Sequence, residues 1–165
     1  MQELDPSLGE GRKAVADFVS HARSVARDRW SAPRAPGKWS AAQVCDHVAK
    51  TYEEGRSILC GTCRQKGMPR WVRPLLRFLF LNRVLKTGNF PKGAKAPAAF
   101  EPSANPPPAV ENLRRLEKAA ADFEGEARAR DGTSIDHPVF GRIKVVDYVR
   151  LNAIHTRHHM GQLGA

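Results

Sequence analysis

Three histidines carry the most chemistry in this sequence. The stretch VVDYVRLNAIHTRHHMGQL places His155 and His159 four residues apart. On a helix that spacing turns by about 40° and stacks the two imidazoles on one face. Tyr148, Asn152 and Gln162 lie on or near the same face, while Arg150 and Arg157 project from the opposite side toward water. A plain core helix would carry Leu or Val at 152, 155 and 159. Buried imidazoles need partners, and a divalent metal ion such as zinc, nickel or iron suits a neutral ring nitrogen.

His47 supplies a third ligand from a second helix, on a face shared with Val44, Thr51, Glu54 and Ile58. Three protein ligands leave a coordination position for water or substrate, the arrangement of catalytic rather than structural zinc. His158 lies about 100° round the helix from His159 and is assigned to the rim. His21 and His137 have no matching geometry, and His137 is expected to order the loop DHPVFG. Glu54, about 10 Å along the helix from His47, is the candidate catalytic residue: a general base or a partner that orients a ligand, against the plainer reading of a carboxylate at the bundle end. Tyr148 could donate to a ligand or simply sit in the core. Cys60-Gly-Thr-Cys63 could be a redox pair or half a zinc site, but no second C-x-x-C and no βαβ pattern accompany it. Cys45 is expected to be a small buried residue.

Helices must position these groups. The first is expected over Ser7 to Arg29, with Val15, Phe18, Val19, Ala22, Val25 and Ala26 forming an apolar stripe; SAPRAPGK ends it. The second starts at Ser40, with Gln43 completing a capping box and Trp39 placed to pack on Val44, and runs to about Leu59, ending near Gly61. The apolar segment Trp71 to Leu85 predicts a short helix broken near Pro74 that packs across the bundle, which sets a membrane partner aside; the sharper alternative is an amphipathic helix lying on a membrane surface. Gly88 to Pro108 holds six prolines and no helical period. It predicts a long crossover, which lets two consecutive helices run parallel. A third helix is expected over Ala109 to Arg130 and a last one over Lys144 to Leu163. No strand is predicted. The fold class is all-α, a four-helix bundle with a long crossover connection.

Bulk properties narrow the reading. A length of 165 residues suits one domain, 1–165, with one core. No apolar run approaches the roughly 20 residues that span a bilayer, and MQELDPSLGE does not read as a signal peptide, so a cytoplasmic location is expected. Three cysteines argue against a disulfide framework. The net charge is +10 with a pI near 10.1, which favours anionic partners. The basic residues are scattered from Arg12 to Arg157, which reads as solvated helix faces rather than a nucleic-acid footprint. No phosphate-cradling glycine loop, dinucleotide fingerprint or G-x-S-x-G elbow is present.

Taken together, KWSAAQVCDHVAK resembles the W-S-x-x-x-x-x-x-H entry to the second helix of the DinB-like superfamily, and HPVFGRIKVVDYVRLNAIHTRHHMGQL resembles its closing region with the H-x-x-x-H-x-x-Q ending. FPKGAKAPAAFEP is similar to the proline-rich crossover of some members. The resemblance implies a four-helix bundle with a metal at its open end, held by His47, His155 and His159, with Gln162 part of the motif. It also implies enzymes that add low-molecular-weight thiols to substrates or use them in isomerisation. One departure is visible: Lys144 stands where relatives often cap the last helix with Ser or Thr, leaving Asp147 to favour the helix start through the dipole.

The leading expectation is therefore a metal-dependent enzyme, a thiol transferase or hydrolase acting on a small molecule. Two alternatives remain: a metal-stabilised bundle without catalysis that binds an anionic partner or membrane surface, and a metal-free bundle whose histidines only hydrogen-bond. Bundles with an apolar flank often pair, so a homodimer is also expected.

Overall fold

The strongest local signal, the capped start at Ser40, forms as the sequence predicts. In the computed structural model, which describes residues 3–91 and 100–164, Ser40 Oγ accepts from the Gln43 amide at 3.3 Å and Gln43 Oε1 accepts from the Ser40 amide at 3.0 Å. Two of the donors that a helix start leaves orphaned are thereby satisfied. Helix α3 (Ala41–Cys60) follows and stops at Gly61, whose φ of 72° supplies the left-handed cap.

Helix α1 (Leu4–Ser24) begins earlier and ends earlier than expected. Pro6 falls in the first turn, where its missing N–H costs nothing. Val25 is extended, and a separate turn of helix, α2 (Arg27–Trp30), turns Trp30 into the core. The stripe of apolar residues continued through Val25 and Ala26, so periodicity concealed this break. The segment after α3 holds α4 (Arg73–Leu76), a π-helical turn over Arg77–Leu81, and α5 (Asn82–Thr87) in one continuous run. Pro74 sits in the first turn of α4 and starts the helix instead of breaking it.

Helix α6 (Ala109–Arg128) runs parallel to α3. Asn112 donates to the Ala42 carbonyl, Arg115 reaches Asp46 and Glu53, and Phe123 meets Tyr52 and Gly55. Residue numbers rise together along the pair, as the predicted crossover requires; residues 92–99 of that crossover lie outside the described residues. Helix α7 (Val145–Met160) runs antiparallel to α3, since His47 meets His155 while Gly55 faces Tyr148. Helix α1 is antiparallel to α6, with Asp5 near Arg128 and Arg23 near Glu117. The four long helices thus form a bundle whose middle two, in chain order, share one direction. The core between them includes Phe18, Val44, Val48, Leu116, Phe123 and Val149.

The expectation of no strands is corrected. β1 (Ser134–His137) and β2 (Gly141–Lys144) form an antiparallel hairpin with Ile135 opposite Ile143. Four-residue strands give too few alternations to stand out in a sequence, although Ile135, His137 and Ile143 all point inward. The hairpin also explains how α7 starts without a side-chain cap at Lys144: the Val145 amide donates to the Thr133 carbonyl at 3.1 Å. Among the described residues no helix is long and apolar enough to cross a membrane.

Candidate metal centre

A polar seam locks α7 against α3 and sets the height at which the histidines meet. Tyr52 donates its hydroxyl to Thr156 Oγ1 at 2.9 Å, Thr156 donates to the Asn152 carbonyl at 2.9 Å, and Asn152 Nδ2 donates to the Tyr148 carbonyl at 3.0 Å. Burial pushes the Tyr52 hydroxyl up to about 12, so it stays a donor at neutral pH. One turn beyond this seam, His47 of α3 faces His155 and His159 of α7.

The three rings converge through Nε2. His47 Nε2 lies 3.3 Å from His155 Nε2, and His159 Nε2 lies 3.0 Å from the same atom. The outer nitrogens of His47 and His159 are already committed. His47 Nδ1 lies 2.6 Å from the Phe100 carbonyl oxygen, which can only accept, so Nδ1 carries the proton. His159 Nδ1 donates to Gln162 Oε1 at 3.0 Å, and the other end of that amide donates to His158 Nε2 at 3.0 Å. His47 and His159 therefore both present Nε2 lone pairs to His155, which can offer a proton to only one of them. Protonating the rings is a poor remedy. Burial, with repulsion from neighbouring cationic groups, lowers all three titrations: His159 falls to about 3, His155 moves well below its ordinary value, and His47 moves down as well.

A divalent cation would resolve the conflict, because it could accept all three electron pairs at once. The spacing fits. Nitrogens about 2.0–2.1 Å from a tetrahedral metal stand about 3.3 Å apart. All three candidate ligand atoms lie within 4.8 Å of one another, and no other group of histidine, cysteine or carboxylate side chains meets that condition among the described residues. His47 and His159 are buried and His155 is partly exposed. Aromatic rings flank it. Trp39 lies 4.9 Å from His47 and 6.3 Å from His159; Phe90 lies 5.1 Å from His155 and 5.7 Å from His158.

The remaining sequence candidates fall elsewhere. Glu54 lies outside the histidine group and accepts from Cys63 Sγ at 3.0 Å. Tyr148 is buried between Phe123 and His137. His137 is on β1, not in the loop, yet it does order the turn: its Nδ1 accepts from the amides of Val139 and Phe140 at 3.1 and 3.4 Å. Cys60 and Cys63 are free thiols leaning on two different carboxylates, Glu126 and Glu54, and Cys45 is fully buried with its thiol pushed up to about 12 by burial. Arg150 turns to the Leu85 carbonyl instead of to water.

Sequence reasoning missed Asp46. It is 1% exposed, accepts from the Ser103 amide at 2.7 Å, and pairs with Lys50 and Arg115. Burial pulls its carboxyl upward, but the Ser103 amide and the two cations hold it below the usual carboxylate range. With Lys50 Nζ donating to the Glu101 carbonyl at 2.9 Å, residues 46, 47 and 50 stitch the end of the crossover to α3. The available signal was an acid at a position that the apolar spacing of α3 turns inward.

Comparison with known proteins agrees with this architecture. No curated protein sequence matches the chain. A solved structure described as TT2238, a four-helix bundle protein, superposes with a TM-score of 0.56 at 19% identity, covering 97% of both chains. YfiT from Bacillus subtilis, described as a probable metal-dependent hydrolase with an unusual four-helix bundle topology, superposes with a TM-score of 0.60 at 13% identity, covering 96% of this chain and 82% of that one. These likenesses bear out the four-helix bundle. A family model described as a protein of unknown function, DUF1569, matches residues 14–165, and the chain belongs to that family.

Proposed function

We propose that His47, His155 and His159 hold one divalent metal ion and that the chain is a metal-dependent enzyme acting on a small molecule. The nucleophile is a water or a low-molecular-weight thiol. The observation that carries this reading is the convergence of three Nε2 atoms, with the outer ring nitrogens of His47 and His159 already engaged. A bound divalent cation would supply Lewis acidity, lowering the pKa of a coordinated water or thiol and polarising a substrate oxygen. The protein's part is to keep the imidazoles neutral, through burial, and to fix their orientation through Phe100 and Gln162. Trp39 and Phe90 limit access of bulk water and offer apolar surface to the body of a substrate. The Bacillus subtilis neighbour, a probable metal-dependent hydrolase, supports hydrolysis; the DinB-like resemblance supports thiol transfer.

Elemental analysis of protein purified without an affinity tag tests the site. The expected result is about one zinc, nickel or iron per chain, lost in His155→Ala. Reloading with each metal, then assaying ester and amide hydrolysis beside addition of several small thiols, separates the two nucleophiles. Metal well below one per chain, unchanged by His155→Ala, would sink the proposal.

A further inference from the structure

Six large hydrophobic side chains stand exposed among the described residues, and five of them fall within residues 68–79: Met68, Trp71, Leu75, Phe78 and Leu79. Trp71 is 82% exposed and Phe78 69%. Leu75, Phe78 and Leu79 recur at helical spacing along α4 and the π turn. The opposite face of the same run is also apolar, with Leu81 and Val84 buried and Leu76 and Phe80 packed on the core. A helix apolar on both sides needs two partners, and the chain supplies one.

Charge singles out the same segment. The basic residues are scattered in chain order, but the acids that offset them are not. Residues 55–100 hold ten Lys and Arg and no Asp or Glu, while the other 17 basic and 17 acidic residues cancel. The whole net charge of +10 therefore belongs to the stretch that carries the exposed apolar face. Arg56 and Arg73 pair with carboxylates on α6 and β1. Arg64, Lys66, Arg70 and Arg83 are exposed and make no ion pair among the described residues.

We infer that this face docks the protein on an anionic lipid surface. The helical run 73–87 lies flat in the interface over about 22 Å, with Trp71, Leu75, Phe78 and Leu79 at the acyl boundary and Arg64, Lys66, Arg70 and Arg83 on headgroup phosphates. Duplex nucleic acid would attract the cations but gives Leu75 and Leu79 nothing to pack on. Two copies face to face would bring the same cations together. On its inner side, Phe80 meets Phe90 at 5.6 Å and Phe90 meets His155 at 5.1 Å, so the docked helix backs onto the aromatic wall of the histidine group. The inference does not depend on the metal reading.

Co-sedimentation with vesicles tests it. The expected result is binding to an equal mixture of phosphatidylglycerol and phosphatidylcholine, no binding to phosphatidylcholine alone, and weakening as salt rises. A double variant, Phe78→Ser with Leu79→Ser, should lower partitioning by about tenfold or more while keeping the wild-type helical circular dichroism and metal content. Trp71 emission should shift to the blue on anionic vesicles, and the shift should vanish in Trp71→Phe, which still sediments. Absence of binding at low salt, equal binding to both vesicle types, or full binding by the double variant overturns the proposal. So does a chain that is dimeric by light scattering, becomes monomeric in the double variant and ignores lipid, because the face then joins two copies. Binding to duplex DNA without binding to lipid overturns it as well.

Discussion

His47 Nδ1 lies 2.6 Å from the carbonyl oxygen of Phe100, 53 residues further along the chain. That single contact ties the crossover to the chemistry. It fixes the proton on the outer nitrogen, leaves Nε2 free to ligate, and holds the ring plane. The carbonyl stays in place because the next residues are pinned in turn: Lys50 donates to Glu101, and the Ser103 amide donates to Asp46. A long connection that lets α3 and α6 run parallel thus also orients one member of the histidine group.

Asp46→Asn should show this coupling. The substitution removes the charge that Arg115 and Lys50 face and weakens the acceptor for the Ser103 amide. Breaking a buried ion pair can cost about 3–5 kcal/mol. Arg115 and Lys50 are 29% and 28% exposed, so solvent screening brings the expected loss to about 2 kcal/mol. Metal affinity should fall by about tenfold because the Phe100 carbonyl is less firmly held. Urea denaturation with chelator present, together with a competition titration against a coloured chelator, measures the two effects separately. Unchanged metal affinity in a destabilised variant would confine Asp46 to stability.

Gly55→Ala is expected to destabilise, against helix propensity. Alanine in mid-helix is worth up to about 1 kcal/mol over glycine. A Cβ at position 55 would lie 3.0 Å from Phe123 Cε2 and 3.2 Å from the Tyr148 hydroxyl oxygen. Both side chains are buried, so neither can swing away, and overpacking of this kind costs about 1–3 kcal/mol. The net loss should be about 1 kcal/mol, read from urea midpoints at unchanged m. A gain would mean that α3 and α6 have room to part.

The histidine cluster was legible because two independent signals agreed: the four-residue spacing on α7, and the capped, apolar-faced start of α3 that turns His47 inward. The parallel pairing of α3 and α6 was legible in the six prolines between them. Three other features were not. The Phe100 carbonyl is a backbone group with no residue type to betray it. The hairpin of β1 and β2 is too short for its alternation to stand out. Asp46 breaks the apolar pattern of α3, and its partners Ser103 and Arg115 are adjacent only after the crossover has folded. Trp39 was read as a staple on Val44, whereas its ring also lies against His47 and His159; local packing rules do not register a neighbour from α7.

Acid should unfold the metal-free protein in part through His137. Burial holds its titration down to about 4, while the unfolded ring titrates near 6.5. Above 6.5 both states are neutral and the full stability is present. As pH falls from about 6.5 toward 4, the unfolded state binds a proton that the folded state refuses, so stability is lost over that window, by up to about 3 kcal/mol. His137→Asn keeps a side-chain acceptor for the turn amides and removes the titration. With chelator present, its stability should fall less between pH 7 and pH 4.5 than that of the wild type. Parallel curves would show that the remaining histidines and carboxylates govern the acid limb.

Glu54→Gln decides whether the carboxylate on α3 takes part in catalysis. Its position seven residues past His47 puts it about 10 Å further along the helix axis, and its oxygen is engaged by the Cys63 thiol. A general base must come within about 2.6–3.2 Å of the proton it removes, directly or through one water. The engagement with Cys63 instead assigns Glu54 to holding the turn after Gly61 against α3. Glutamine keeps an acceptor oxygen for Cys63 and loses the charge. The variant should retain about one metal per chain and turn over within about threefold of the wild type, with Tm moved by only a degree or two. A fall of about a hundredfold in kcat at full metal content, with the acid limb of the pH–rate profile displaced, would instead make Glu54 the base that serves the metal centre.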